Sequence, residues 1–440
     1  IWQLNNAKIK YDTISANINP AWNSLGDIQS AKDEVLKAGK LFTVGSVLYP
    51  FTDQDSDGKT NDTLASDILS KSVGTISPQG QATYLQSVFK LVTADGNNQG
   101  AGVFYGDATW IAVKAGSQTN YQTNLDAANQ YGTGWASKYA IGYNSGADQY
   151  SGANTQDNQA LFDDLGNPLQ SLTVFKQLAD ADNTAQMPTN DDNAAQKDPY
   201  EFGGDTGLKD QKVGINQIPS MTNQAIRGVD ISSYQALKDA GVKFYDYSGK
   251  ETPLMKVLHD QGVNYIRLRI WNDPKNASGQ YYGGGNNDVA QDLKIAKEAS
   301  KYGMKVLLDF HYSDFWADPA QQILPKAWSG KSDQDLQKTV KTFTQNTINQ
   351  FKQAGVNVGM VQIGNEITNG VMGQTTNRDA GESYKGAWLN ANKSKKIIGY
   401  LKAASTGVRN SVPNALIVVH IETPDMTKYD NITVSYTHLT

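Results

Sequence analysis

Five short apolar runs recur through the second half of the chain: AIRGVDIS (225–232), VNYIRLRIW (263–271), KVLLDFHYS (305–313), VGMVQIGNE (358–366) and NALIVVHIE (414–422). Each is bounded by Gly, Asn or Lys and followed by a stretch with helical spacing. In DVAQDLKIAKEASKYG (288–303), for example, Val289, Leu293, Ala296 and Ala299 fall on one face. Strands alternating with helices predict parallel strands in βαβ units. The first half repeats the alternation three times, with strand-like YDTISANI (11–18), KLFTVGSVLY (40–49) and GAGVFYGDATWIAV (100–113) separated by helical DIQSAKDEVLKAG (27–39) and QGQATYLQSVFKLV (79–92). The halves share no self-similarity, so they read as different parts of one α/β architecture, a (β/α)8 barrel supplied as three units and then five.

Between them, residues 181–213 are rich in Asp, Asn, Gln and Thr and hold few large apolar groups, which predicts a polar linker between a 1–180 segment and a 214–433 segment. The 440 residues exceed the roughly 250 of a single such barrel, which fits one large domain with added material or pieces of two. The chain opens on Ile1 with no leader-like pattern, which reads as an internal start. Its last residues, VSYTHLT (434–440), can be written in codons that read through a transposon mosaic end used in sequencing libraries, so this tail is expected to be adapter-derived.

With 39 Lys plus Arg against 44 Asp plus Glu, no basic field exists to hold a nucleic-acid backbone or an anionic membrane, and a neutral polymer is the easier partner. The absence of cysteine excludes disulfides, thiolate catalysis and cysteine zinc sites. No apolar run reaches the 18 residues or so that would span a membrane. Aromatics are plentiful, 22 Tyr, 12 Phe and 8 Trp, and flat rings suit sugars, although any single one is more often core.

Polar side chains gather at the carboxyl ends of the second-half strands. Strand alternation puts Arg267, Arg269 and Trp271 on one side, likewise Asp309, His311 and Ser313, and likewise Gln362, Gly364 and Glu366. One buried Arg or His would be an ordinary core ion pair, but five consecutive strands ending in polar or aromatic groups match the catalytic face of a (β/α)8 barrel. At the end of VGMVQIG, Glu366 is expected in a partly dry cleft where desolvation keeps it protonated as a general acid.

GVDISS (228–233), YIRLRIWNDP (265–274), YYGGGNNDVAQDL (281–293), LLDFHYSDFWADPAQQ (307–322), LPKAW (324–328) and VQIGNEITNG (361–370) resemble the endo-β-1,4-galactanases of glycoside hydrolase family 53, from about Ile218 to about Ile432. The resemblance implies a TIM barrel, retaining cleavage of β-1,4-galactan or arabinogalactan outside the cell, and Glu366 as acid/base with Asn365 on the neighbouring sugar hydroxyl. It also implies that Asp230, Arg269, Trp271, His311, Trp316 and His420 line the subsites.

The first half resembles the family's other end, with YDTISANINPAW, KLFTVGSVLYPFTDQDSDG and GVFYGDATWIAV as strands six, seven and eight, and YGTGWAS and DNQALFDDLGNPLQSLTVF as the closing segment. The chain therefore resembles the tail of one module joined by the linker to the head of a second. Where the family presents its nucleophilic Glu on strand seven this chain has Ser46, and the family signatures on strands six and eight become Ile18-Asn19-Pro20 and Gly106-Asp107-Ala108. These departures imply a degenerate module that binds galactan without cutting it. Asp53, Asp55, Asp57 and Gly58 imitate the start of a calcium loop, but Leu64 stands where an EF-hand needs Glu, and the plain alternative is a polar turn. Bacterial members of the family hold calcium in this loop, which implies Asp55, Asp57 and Asn61 as ligands, with Asp157 a remote one. Because 3 + 5 strands complement each other, the expectation is one circularly permuted barrel, strands 6–8 before strands 1–5, in which Ser46 faces Glu366 and the chain is inactive.

Overall fold

The computed structural model of the chain describes residues 2–69, 74–93, 100–147, 151–179, 212–218, 221–222, 224–376 and 386–422. Almost all of the 181–213 linker and the whole 434–440 tail lie outside the described residues.

Eight parallel strands close into a barrel. They are β1 (Thr13–Ile18), β2 (Leu41–Val47), β3 (Gly100–Tyr105), β4 (Ile226–Asp230), β5 (Tyr265–Ile270), β6 (Lys305–Phe310), β7 (Val358–Ile363) and β8 (Leu416–Ile421). Neighbours in the barrel are neighbours in sequence, and β8 pairs with β1 to shut the ring. Every segment expected to be a strand contains one. The third is shorter than expected: it ends at Tyr105, because Gly106 and the left-handed Asp107 (φ 38°) turn the chain out of the sheet.

Two seams join the segments. At one, Gly102 to Tyr105 of β3 pair with Ile226 to Val229 of β4; at the other, Thr13 to Ala16 of β1 pair with Val418 to Ile421 of β8. Either segment alone would leave two sheet edges with unpaired N–H and C=O groups, and closure satisfies both. Side-chain packing crosses the first seam as well. Phe104 of β3 packs edge-on to Tyr265 of β5 with ring centroids 6.0 Å apart, and its ring lies 2.2 Å from where a Cβ on Gly228 would stand. Only glycine fits there. Phe104, Ile226, Tyr265, Leu307, Met360 and Val418, one residue from each of β3 to β8, form a buried layer at the amino-terminal end of the barrel.

Helices cover the outside. Leu25–Lys37 starts on a capping box in which Ser24 Oγ accepts from the Asp27 N–H at 3.2 Å and Asp27 accepts from the Ser24 N–H at 2.8 Å. Val289–Ser300 is capped by Asp288 and buries Ile295, Ala296 and Ala299 against the barrel, with Val289 and Leu293 partly buried beside them. Among the described residues no helix is long and apolar enough to cross a membrane. A hollow of about 730 Å³ at the amino-terminal pole, lined by Gly100, Lys305, Lys352, Asn357 and Pro413 among others, contains none of the residues singled out for chemistry.

Candidate active site

Strand β7 ends at Ile363, and the next three residues are not extended: Gly364 has φ 104° and Glu366 φ 50°. Strand alternation is therefore not what turns Glu366 inward, contrary to the simple reading of Gln362, Gly364 and Glu366. A regular strand would send the adjacent Asn365 and Glu366 to opposite faces, whereas the left-handed turn brings both side chains to the mouth of the barrel. Such a conformation costs a non-glycine residue about 1–2 kcal/mol, and the surrounding contacts hold it.

Those contacts come from both segments. The Glu366 N–H donates to His420 Nδ1 at 3.1 Å. Burial, then Arg267, drive the His420 pKa down to about 3, so its ring is neutral. With Nδ1 accepting, the proton sits on Nε2, which donates to Asn17 Oδ1 at 2.8 Å. Asn17 Nδ2 in turn donates to Glu366 Oε1 at 2.8 Å. Glu366, through its backbone N–H and its carboxyl, thus closes a ring of hydrogen bonds with His420 and Asn17, and Asn17 is supplied from a strand 349 residues away in sequence. Burial, then Glu422 and Asp318, push the Glu366 carboxyl up to about 8 against the opposing pull of Arg267. The raised value favours the protonated, neutral carboxyl near pH 7.

Beneath Glu366 lies a charged floor. Arg267 is buried and pairs with Asp230 at 3.0 Å and Asp309 at 2.7 Å, and it donates to Asn365 Oδ1 at 3.1 Å. Burial opposes ionisation of Asp309, but Arg267 and His311 hold its carboxyl below the usual range. His311 Nδ1 accepts from Trp271 Nε1 and from the Ala317 N–H, each at 3.1 Å, which leaves Nε2 to donate to Asp309 at 3.2 Å. Asp230, Trp271 and His311 are buried with protein partners and so lie under the cleft, while Asn365 is fixed by Gln362, Arg267 and the Ala317 carbonyl. Arg269 pairs with Asp107 at 3.1 Å and lies 4.4 Å from the centre of the half-buried Trp316 ring. Trp135 of the first segment packs on Trp316 of the second, centroids 4.7 Å apart, giving an aromatic wall built by both.

Ser46, at the end of β2, pairs in register with Asn17 and is partly exposed. Its Oγ rests over Gly106, 2.2 Å from where a Cβ would be. Going round the barrel from Glu366 on β7, the order is His420 on β8, Asn17 on β1, Ser46 on β2. Ser46 and Glu366 therefore stand on strands three positions apart round the ring, with His420 and Asn17 between them.

Asn17, Glu422 and Asp107 were not singled out as site residues by sequence reasoning. Glu422 follows β8, and its carboxylate accepts from the Thr368 hydroxyl. Asn17 falls two positions after Ser15 at the carboxyl end of β1, and that placement was the available signal; Asp107 registered only as a departure from a family signature.

The Asp-rich loop forms a cluster of its own. Carboxylate oxygens of Asp55, Asp57 and Asp157 lie within 4.8 Å of one another. Burial, then Asp157, push Asp57 well above the usual carboxylate range, and burial pushes Asp157 up to about 7. Asn61 Nδ2 donates to the Gln54 carbonyl at 3.0 Å, while its buried Oδ1 has no protein partner. Hard oxygen donors, mutual repulsion and an orphaned carbonyl oxygen together suit a calcium ion.

The sequence model of Glycosyl hydrolase family 53 matches residues 1–175 and 226–438, most of the chain and both barrel segments. The chain belongs to this family. It is 38% identical over 218 residues to the endo-β-1,4-galactanase of Bacillus subtilis (strain 168), covering 50% of this chain and 47% of that protein. It is 34% identical over 201 residues to the arabinogalactan endo-β-1,4-galactanase of Humicola insolens, covering 44% and 53%. Among solved structures, the Ignisphaera aggregans GH53 catalytic domain aligns at 38% identity and a TM-score of 0.46, covering 50% of this chain and 58% of that one. The chain spans about half the length of the curated relatives it matches.

Proposed function

We propose that the carboxyl-terminal mouth of this barrel binds β-1,4-galactan or arabinogalactan, and that Glu366 is the general acid/base of an endo-acting, retaining hydrolase to which this cleft corresponds. The observation that carries the reading is Glu366 itself, a carboxyl pushed up to about 8 and held at the mouth of a family 53 barrel by Asn17 and His420. A neutral carboxylic acid at pH 7 can protonate the glycosidic oxygen as the bond breaks. Asn365 would meet the hydroxyl beside the scissile bond through its second amide hydrogen, and Trp316 and Trp135 would stack on sugar faces. A retaining hydrolase also needs a nucleophilic carboxylate about 5–5.5 Å from the acid. By its resemblance to the family Ser46 takes the sequence position of that carboxylate, and in this reading the chain as given would hold galactan without cutting it.

In this reading residues 1–180 are the degenerate tail of one module, 214–433 the head of a second, and the substrate is an extracellular polysaccharide met outside the cell. Asp55, Asp57, Asn61 and Asp157 would hold a structural calcium ion, whose charge would let the three carboxylates ionise together. The test is retardation of the chain by galactan in affinity electrophoresis together with release of reducing sugar. Retardation without release is the expected result; absence of retardation sinks the galactan reading, and release sinks the inactivity.

A further inference from the structure

We propose that Asp292, buried on the helix Val289–Ser300, is a positioning residue of the cleft: its carboxyl donates a hydrogen bond to Asn287 and so locks the loop on which the charged floor and the aromatic wall rest. The proposal rests on the galactan reading of the cleft and adds the device that keeps its shape.

The loop is residues 283–287, between β5 and that helix. Four consecutive residues have left-handed backbone, Gly283 at φ 95°, Gly284 at 62°, Gly285 at 93° and Asn286 at 58°. Such a run persists only where its surroundings fix it. Much leans on it. The Gly284 carbonyl accepts from Arg269 at 3.2 Å, and the Asn287 carbonyl accepts from the Trp271 N–H at 2.9 Å. A Cβ on Gly284 would lie 2.8 Å from the Trp271 ring, 3.0 Å from the Trp316 ring and 3.1 Å from the Trp135 carbonyl, so this backbone is the backing of the wall. The Gly284 and Gly285 N–H groups donate to the Gly134 and Gly132 carbonyls of the first segment, each at 2.8 Å.

Asn287 ties the loop to the barrel. Its Nδ2 donates to the Ser232 carbonyl at 2.8 Å and to Asp292 Oδ1 at 2.9 Å. Ser232 Oγ donates to Asp230 at 2.6 Å, Asp230 pairs with Arg267, and Arg267 donates to Asn365 beside Glu366. A continuous chain of contacts thus runs from Asp292 to the acid's neighbour. Asn287 and Asp292 are both fully buried, yet Asn287 Oδ1 and Asp292 Oδ2 have no partner among the described residues. Both orphaned oxygens belong to the same amide–carboxyl pair. A proton on Asp292 Oδ2 supplies the one donor that the pair lacks, N–H to carboxyl on one side and O–H to amide on the other. An ionised Asp292 would instead leave two acceptors unsatisfied in a dry place. Burial holds the Asp292 carboxyl well above the usual carboxylate range, with Asp288 and Asp230 adding to it against the Asn287 amide and Arg269. Asp288 is itself engaged by Tyr281 at 2.6 Å and Lys275 at 3.2 Å. Of the helices packed alongside, Tyr234–Asp239 sends Lys238 to Glu298 farther along, and Asp333–Gln353 brings Lys338, paired with Asp335.

The full chain is labelled with carbon-13 at its aspartate carboxyls, and spectra of the parent and of Asp292→Asn are compared as a function of pH. One resonance, missing from the variant, should stand at the protonated position at pH 7; finding it at the ionised position overturns the proposal. Calorimetric titration with β-1,4-galactotetraose and tryptophan fluorescence then read the cleft. Asp292→Leu, which fills the space without a donor, should bind about tenfold more weakly, because the Asn287 amide loses its partner. Asp292→Asn, whose amide donates with no proton to lose, should restore that affinity and remove the part of the alkaline fall that follows the Asp292 resonance, while Glu366 titrates in both proteins and cancels in the comparison. A leucine variant that melts lower yet binds and fluoresces like the parent shows a merely structural Asp292 and overturns the positioning. If that variant does not fold, the pH profiles of parent and Asp292→Asn decide, and identical profiles through the titration of the resonance overturn it. A parent that binds no galactotetraose overturns instead the galactan reading, and the carboxyl resonance and the fluorescence still decide for Asp292.

Discussion

Glu366→Gln should stabilise the fold at mildly alkaline pH while removing its acid. The ordinary carboxyl value for this residue is 4.5, and in the folded chain burial, Glu422 and Asp318 push it up to about 8. Below pH 4.5 both folded and unfolded chains carry the proton, and the site costs nothing. Above that, the unfolded chain ionises freely while the folded one does not, so stability falls as pH rises and levels off beyond about 8. Three pH units, from 5 to 8, at 1.36 kcal/mol per unit amount to about 4 kcal/mol, an upper figure because Glu366 is only partly buried and water screens it. Glutamine has no such slope, keeps an oxygen for Asn17 Nδ2 and presents an amide where Glu422 otherwise repels. At about 2.1 cal/mol/K per residue, a 440-residue chain loses about 0.9 kcal/mol per degree, so the variant should gain about 4 °C in Tm over the parent between pH 5 and pH 8. Thermal scans of both proteins at the two pH values provide the measurement, and other titrating groups cancel in the difference. Parallel pH dependence of parent and variant would refute the raised Glu366.

Calcium should raise the melting temperature of the chain relative to chelator: at a hundred times Kd the gain is about 2.7 kcal/mol, or about 3 °C on the same scale. Asp57→Asn should abolish that gain, and no shift in the parent would return the loop to a polar turn. Arg267→Met should lower stability by about 3–5 kcal/mol, because Asp230 and Asp309 stay buried after losing their partner; an unchanged denaturation midpoint would show that the floor does not depend on the pairing. Ser46→Glu should produce reducing sugar from galactan where the parent produces none, and a silent variant would mean that more than the missing carboxylate separates this cleft from a cutting one.

The alternation of apolar runs with helical spacing was enough to place all eight strands, because extended and helical periodicities are set within a few residues and do not wait for the fold. The family motifs likewise brought Glu366 and Ser46 to attention before any geometry. Strand ends were less legible. Both Asn365 and Glu366 reach the cleft because Gly364 and Glu366 adopt left-handed backbone, which a two-residue alternation cannot express. Nothing local to Asn17 reveals that its amide meets Glu366, nor does anything near Asp107 reveal Arg269. Those meetings exist only once β3 pairs with β4 and β8 with β1, with Phe104 filling the space above Gly228. The sequence by itself determined the elements and singled out Glu366; closure of the ring decided its partners, because a hydrogen bond between residues hundreds of positions apart is specified by how the sheet closes and not by either neighbourhood.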